Sequence, residues 1–196
     1  MTASLISPTA AGDPTVAWSR RVRRVGGFIQ LAFATFWLAR GGLSVHGGTG
    51  VGLAALFGVM AAVALGYGVW ATAGTGSRPA GLEAKRIERA VTVATVIQLI
   101  ASFAAPAAVI AAGHSDWVLP SIAITIGPLL LWLNRRVHIP RYRLAGWVLM
   151  IGPIFLVAIT SGTALAAATG IAAGFLLLST ATAGFHDLAI DRAASA

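Results

Sequence analysis

The chain has 196 residues, of which 57% are hydrophobic and only 10% charged, and its mean hydropathy is +0.83. Soluble domains carry about 25% charge, and one core of this size cannot hide so much apolar surface, so the bilayer must be the solvent. The absence of cysteine excludes disulfides, thiolate catalysis and thiolate metal sites, and the formal charge of +8, interleaved with apolar runs, fits membrane loops better than a nucleic-acid surface.

Residues 1–17 lack the basic start and apolar core of a secretory signal. Pro8, Gly12, Asp13 and Pro14 interrupt any helix there, and a disordered cytoplasmic tail is expected. A helix crosses the hydrocarbon core in about 20 apolar residues, and six runs meet that length. They are Val25 to about Leu43, Gly50 to Ala73, Ala90 to Ala112, a short run from Trp117 to Leu133, Leu144 to about Thr160, and Thr163 to Phe185. The join between the last two is the least marked, because "TSGT" is small and uncharged; a turn is expected near Ser161 and Gly162. Residues 18–188 then form one six-helix transmembrane domain, and residues 189–196 a second cytoplasmic tail.

The stretch "NRRVHIPRYR", residues 134–143, carries four arginines between two apolar runs. It belongs to a series. Arg20, Arg21, Arg23 and Arg24 precede the first run; Arg78, Lys85, Arg86 and Arg89 lie around the second connection; Arg192 follows the last run. Only Arg40 falls on the other side, so the positive-inside rule puts both termini and these loops in the cytoplasm. The tryptophans fall near span ends, where an apolar ring and a wet N–H suit the interface. The expected fold is all-α: a polytopic membrane protein with six transmembrane helices arranged as three helical hairpins. Arg over Lys and the Ala/Gly bias point to a bacterial inner (plasma) membrane. "FIQLAF" at 28–33 and "VIQLIA" at 96–101 hint at a duplication of the first two hairpins.

Within the spans, chemistry-bearing residues are few. Gln30 and Gln98 are the amides, and Gln98 continues a stripe of Thr92, Thr95 and Ser102 on one face of the third helix. A glutamine in hydrocarbon needs partners, so this stripe should face the bundle interior, as interhelical glue or as a polar path. "IGP" occurs twice, ending at Pro128 and Pro153. Each proline should deprive a carbonyl four residues back, on Ile124 and Leu149, of its helical donor. Those carbonyls should then turn to Thr125, Gln30, Gln98 or water, with Gly127 and Gly152 letting the kinked backbones approach. Gln30, Gln98, Thr95, Thr125, Pro128 and Pro153 are therefore the candidates for a substrate path.

Small residues recur every four positions at Gly58, Ala62 and Gly66 and again at Ala166, Gly170 and Gly174. This spacing serves close packing inside a bundle or a homo-oligomer contact. His46, His114 and Asp116 sit on outer turns and are the residues that offer a metal set, but no motif fixes their geometry; no metal and no cofactor is expected. His186 and Asp187 close the last helix as a solvated end. No acid or lysine lies inside a span, which argues against a proton or cation pump and against a retinal Schiff base. No nucleotide loop, nucleophile elbow or deaminase motif occurs, so catalysis is not expected.

Residues 117–150, "WVLPSIAITIGPLLLWLNRRVHIPRYRLAGWVLM", resemble a stretch of small uncharacterised bacterial integral membrane proteins. The resemblance rests on "LPSIA" at Leu119 to Ala123, the basic turn with proline at Arg135 to Arg143, and the following "AGWVL". It implies a six-helix membrane protein and assigns no functional residue. The first reading is a small-solute transporter or channel subunit, motivated by the shared depth of Gln30, Gln98, Pro128 and Pro153. The alternative is a structural, assembly or accessory membrane protein without catalysis, motivated by uncharged spans and packing motifs. A membrane-embedded enzyme or haem protein has only the edge histidines behind it. In every case the partner is the lipid bilayer, with no nucleic acid.

Overall fold

A computed structural model of the chain describes residues 20–73 and 82–194. These residues form six α-helices and no strand. They are α1 (Gly27–Leu43), α2 (Gly48–Thr72), α3 (Leu82–Ala111), α4 (Val118–Val137), α5 (Pro140–Ile159) and α6 (Gly162–Ala193). A π-helical turn, Val22–Gly26, leads into α1, and a 3-10 turn, Ser115–Trp117, leads into α4. The tail expected over residues 1–17, Trp18 and Arg78 lie outside the described residues.

Each expected span is a helix, but several helices run past the apolar run that signals them. α3 begins at Leu82 rather than near Ala90, and α6 continues to Ala193, through most of the segment expected as a tail. Hydropathy marks only what crosses hydrocarbon, whereas the hydrogen-bonded helix continues into the polar interface where arginine and aspartate are solvated. Five helices are long and apolar enough to span a bilayer. α1 is the shorter sixth, at 17 residues, or about 26 Å, and the π turn extends it toward its arginines.

The turns are tight for local reasons. Gly47, Gly113 and Gly162 have φ of 78°, 81° and 58°, the left-handed region that glycine enters without steric cost. Ser161 lies just before the first residue of α6, so the break falls where the small uncharged join was expected. In the basic stretch, α4 stops after Val137. His138 takes φ 51° and donates its N–H to the Asn134 carbonyl at 3.0 Å. Ile139 is extended, as a residue before proline prefers, and Pro140 opens α5 where no N–H is needed. Two residues thus reverse the chain.

The centre of the bundle is α1 against α6. Trp37, Leu38, Phe185 and Leu177 are fully buried. A Cβ on Gly170 would lie 2.6 Å from the Gly41 Cα, and one on Gly174 would lie 2.5 Å from the Leu38 side chain. Small residues here let two backbones touch. Phe185 fills the space left by two further glycines, Gly27 on α1 and Gly68 on α2, whose added Cβ atoms would fall 2.7 and 2.6 Å from its ring.

α4 packs on α5 through a second glycine pair, Gly127 and Gly146, where a Cβ on Gly127 would lie 2.6 Å from the Gly146 carbonyl oxygen. The first two hairpins, α1–α2 and α3–α4, pack as pairs, whereas α5 and α6 meet each other less extensively than they meet α4 and α1. α3 is the outlier. It packs chiefly on α4, and none of its most apolar window is buried.

Val93, Val96, Leu99, Ile100 and Phe103 on α3 are exposed, and so are Ile29, Phe33, Phe36, Val59, Val63 and Phe155 on other helices. Water would not tolerate so continuous an apolar surface, while lipid chains solvate it. The chain is an all-α, polytopic integral membrane protein.

Two sets of contacts define the ends of the bundle. At the basic end, Arg23 and Arg141 reach Asp187 and Asp191, and Arg192 donates to the Trp70 carbonyl at 3.1 Å. At the opposite end, the Asp116 carboxylate accepts the Gly162 N–H at 3.1 Å, tying the α3–α4 turn to the start of α6.

Candidate functional site

The polar stripe of α3 divides in two. Thr92 and Thr95 are exposed, and their hydroxyls donate to the carbonyls of Glu88 and Val91 one turn back, at 2.9 and 2.8 Å. A hydroxyl satisfied by its own helix can face lipid. Gln98 and Ser102 instead turn to α4. The Gln98 amide donates to Ser102 Oγ at 2.9 Å and to Thr125 Oγ1 at 3.2 Å, and the two hydroxyls lie 3.4 Å apart. This three-residue knot joins α3 to α4 where the alternative partner would be hydrocarbon.

Beside the knot, on its basic side, α3 and α4 border a lateral groove of about 850 Å³. Its α3 wall has the periodicity of one helix face: Arg86 and Arg89 at one end, then Ala90, Val93, Ala94, Ile97, Gln98 and Ala101. The α4 wall is Ile124, Thr125, Pro128, Leu129 and Trp132. Small alanines on α3 and the proline ring on α4 leave the space open. Arg136 lies over the Trp132 ring, its guanidinium carbon 5.7 Å from the ring centroid, so a third cation stands next to the basic end of the groove.

The other candidates are not gathered here. Gln30 is buried on α1 beside Tyr142 at the start of α5, and its Oε1 has no hydrogen-bond partner. Gln30 and Gln98 therefore belong to different interfaces. Pro128 is exposed to the groove and Pro153 is buried, and both helices continue through their prolines. Pro106, inside α3, is a third intrahelical proline that the "IGP" repeat does not flag. Thr125 Oγ1 donates to the Ile122 carbonyl at 2.8 Å rather than to that of Ile124. Gly127 does permit close backbone approach, but its partner is Gly146. A Cβ on Gly152 would meet only Val148 of its own helix, at 3.8 Å.

The two small-residue stripes also part company. Gly170 and Gly174 are occupied by α1, so they are not available as an oligomer face. Gly58, Ala62 and Gly66 are exposed, and a Cβ on either glycine would meet nothing within 4 Å. Trp37, expected at an interface, is fully buried, and its Nε1 has no hydrogen-bond partner.

The edge histidines do not converge with carboxylates. His46 is exposed on the α1–α2 turn, the His114 ring packs against Trp117 with centroids 5.9 Å apart, and Asp116 caps α6. Among the described residues no group of three metal-ligating side chains occurs.

A second constellation is not evident from the sequence. Asp187, expected as a solvated helix end, accepts two hydrogen bonds of 2.7 Å from the Arg141 guanidinium and lies 3.5 Å from Arg23. Arg23 also lies 3.6 Å from Asp191, one helical turn on, and His186 Nδ1 is 3.0 Å from the Tyr67 hydroxyl. The signal that could have found it is the pair of acids at i and i+4 just past the last span, facing the arginine-rich loops. Two cations and two anions neutralise one another, and the cluster fastens the π turn, α5 and α6 together.

The chain matches no family model, no curated protein and no solved structure.

Proposed function

We propose that this chain is a non-catalytic accessory protein of the membrane that holds a lipophilic molecule in the groove between α3 and α4. The observation that carries this reading is the groove itself, about 850 Å³ with walls that are almost wholly apolar. Ligand sites are concave and mostly apolar, with a few placed polar groups. Here those groups are Arg86 and Arg89 at one end and Gln98 with Thr125 at the other.

A transporter or channel would favour a polar route through the bundle. Against that route stand the α1–α6 contact, where Gly41 and Gly170 touch, and the separation of Gln30 from Gln98. The positive-inside rule supports a cytoplasmic location for the basic end, with both termini on that side.

The test is native mass spectrometry of the protein released from gentle detergent. The wild type is expected to retain lipid-sized adducts, and Ala94→Trp, which fills the groove, is expected to lose most of them. Val63→Trp, on the exposed face of α2, should retain them. Equal retention by all three proteins would contradict the reading.

A further inference from the structure

The knot at the end of the groove spends its protons unevenly. The Thr125 hydroxyl donates its one proton to the Ile122 carbonyl at 2.8 Å, so toward Gln98 its Oγ1 can only accept. That fixes the Gln98 amide, whose nitrogen must face Thr125 and Ser102, at 3.2 and 2.9 Å. The amide oxygen, Oε1, takes none of these bonds, and no donor among the described residues reaches it. Gln98 itself lines the groove.

α4 adds a second acceptor. Pro128 has no N–H to offer the Ile124 carbonyl four residues back, and the Thr125 hydroxyl goes to Ile122 rather than to Ile124. Ile124 and Pro128 both line the groove, and a helical carbonyl points along its own face toward the residue four on. The knot end of the groove thus offers acceptors, while the N–H and O–H groups of the knot are already engaged.

Depth makes this unusual. The apolar span of α3 starts at Glu88, and Gln98 lies ten residues further on, about 15 Å along the helix. That is half of a hydrocarbon core of ~30 Å. Phospholipid acyl chains carry no donor at mid-bilayer, and a polar group left unpaired in hydrocarbon is costly.

We propose that the occupant of the groove is a lipid with a hydroxyl group on an otherwise apolar body, and that this hydroxyl donates to Gln98 Oε1. The body lies along Ala94 and Ala90 of α3 and against Leu129 and Trp132 of α4. An ether or ester of the same shape would bring only further acceptors to this end. The proposal rests on the reading of the groove as a lipophilic site and adds the polar group of its ligand and the depth at which it is held.

The experiment is native mass spectrometry of the full chain from micelles holding matched probes in equal amounts. One pair is hexadecanol and methyl hexadecyl ether, the other nonylphenol and nonylanisole. The wild type is expected to retain the hydroxyl member of a pair about fivefold over its ether, since one net hydrogen bond favours it severalfold. Discrimination in the first pair identifies a lipid alcohol and in the second a phenolic lipid, and either supports the donor assignment. In Gln98→Leu the ratio should fall to about one. Thr95→Val alters a hydroxyl that is bonded to its own helix and lies outside the groove, and should keep the preference.

A wild-type ratio near one in both pairs, with probes still retained and still displaced by Ala94→Trp, would overturn the donor assignment and leave the groove reading intact. That comparison needs no variant of Gln98, so it decides even where Gln98→Leu fails to fold. A preference that survives in folded Gln98→Leu would likewise overturn the assignment. Retention that Ala94→Trp does not reduce would overturn both.

Discussion

Gly170→Ala is expected to lower the thermal midpoint of the detergent-solubilised protein sharply, while Gly66→Ala leaves it unchanged or raises it slightly. The added methyl group is the same in both, and so is its gain in helix propensity, up to ~1 kcal/mol over glycine. The surroundings differ. At position 170 the new Cβ would meet Gly41 Cα at 2.6 Å and Gly41 N at 2.8 Å, so relief requires moving α1 itself rather than rotating a side chain. Overpacking costs about 1–3 kcal/mol, and a backbone obstacle belongs at the top of that range. At position 66 nothing lies within 4 Å. Thermal unfolding monitored by far-ultraviolet circular dichroism separates the two. Equal midpoints would show that α1 and α6 do not meet through Gly41 and Gly170.

The second large effect belongs to Asp187. Its carboxylate faces two guanidinium groups, and its removal leaves Arg141 without its bidentate acceptor while Arg141 Nη1 is already buried without a partner. Exposed ion pairs contribute about 0.2–1 kcal/mol, and breaking a buried one costs about 3–5. The side chains of Asp187 and Arg141 are 31% and 34% exposed, so the expected loss for Asp187→Ala lies between these, at about 2 kcal/mol. A cycle with Arg141→Gln distinguishes the pair from general disruption. The double variant should be little worse than Asp187→Ala alone, and strictly additive losses would contradict the pairing.

The contrast between these residues explains what the sequence conveys and what it hides. Span number and order are legible because hydrocarbon thickness imposes runs of a fixed length, and the Gly- and Pro-marked turns punctuate them. The burial of a given face is not legible. In water an apolar stripe points inward, but in lipid both faces of a helix are apolar and the stripe loses its direction. That is why Gly58, Ala62 and Gly66 read the same as Gly170 and Gly174, although the first set is exposed and the second touches α1.

It is also why Trp37 looks like an interfacial anchor and is buried. Gln98 was legible as a residue in need of partners, and Thr125 was among the candidates. The groove beside them was not, because its two walls come from helices whose packing the sequence does not convey. The Arg141–Asp187 pair spans 46 residues and depends on the start of α5 and the end of α6 lying at the same face of the bundle.

The central claim is that the α3–α4 groove opens to lipid and is not part of an aqueous route. The chain contains no cysteine, so a single nitroxide can be attached at Ala94→Cys or Ala101→Cys with no background. In reconstituted bilayers, electron paramagnetic resonance then compares collisions with oxygen, which concentrates in hydrocarbon, and with a polar nickel chelate, which stays in water. Labels at both positions should be relaxed strongly by oxygen and scarcely by the chelate, as at the lipid-facing control Val63→Cys. Strong relaxation by the chelate at Ala94 and Ala101 would mean that water fills the groove, which contradicts a lipid site and favours a transporter.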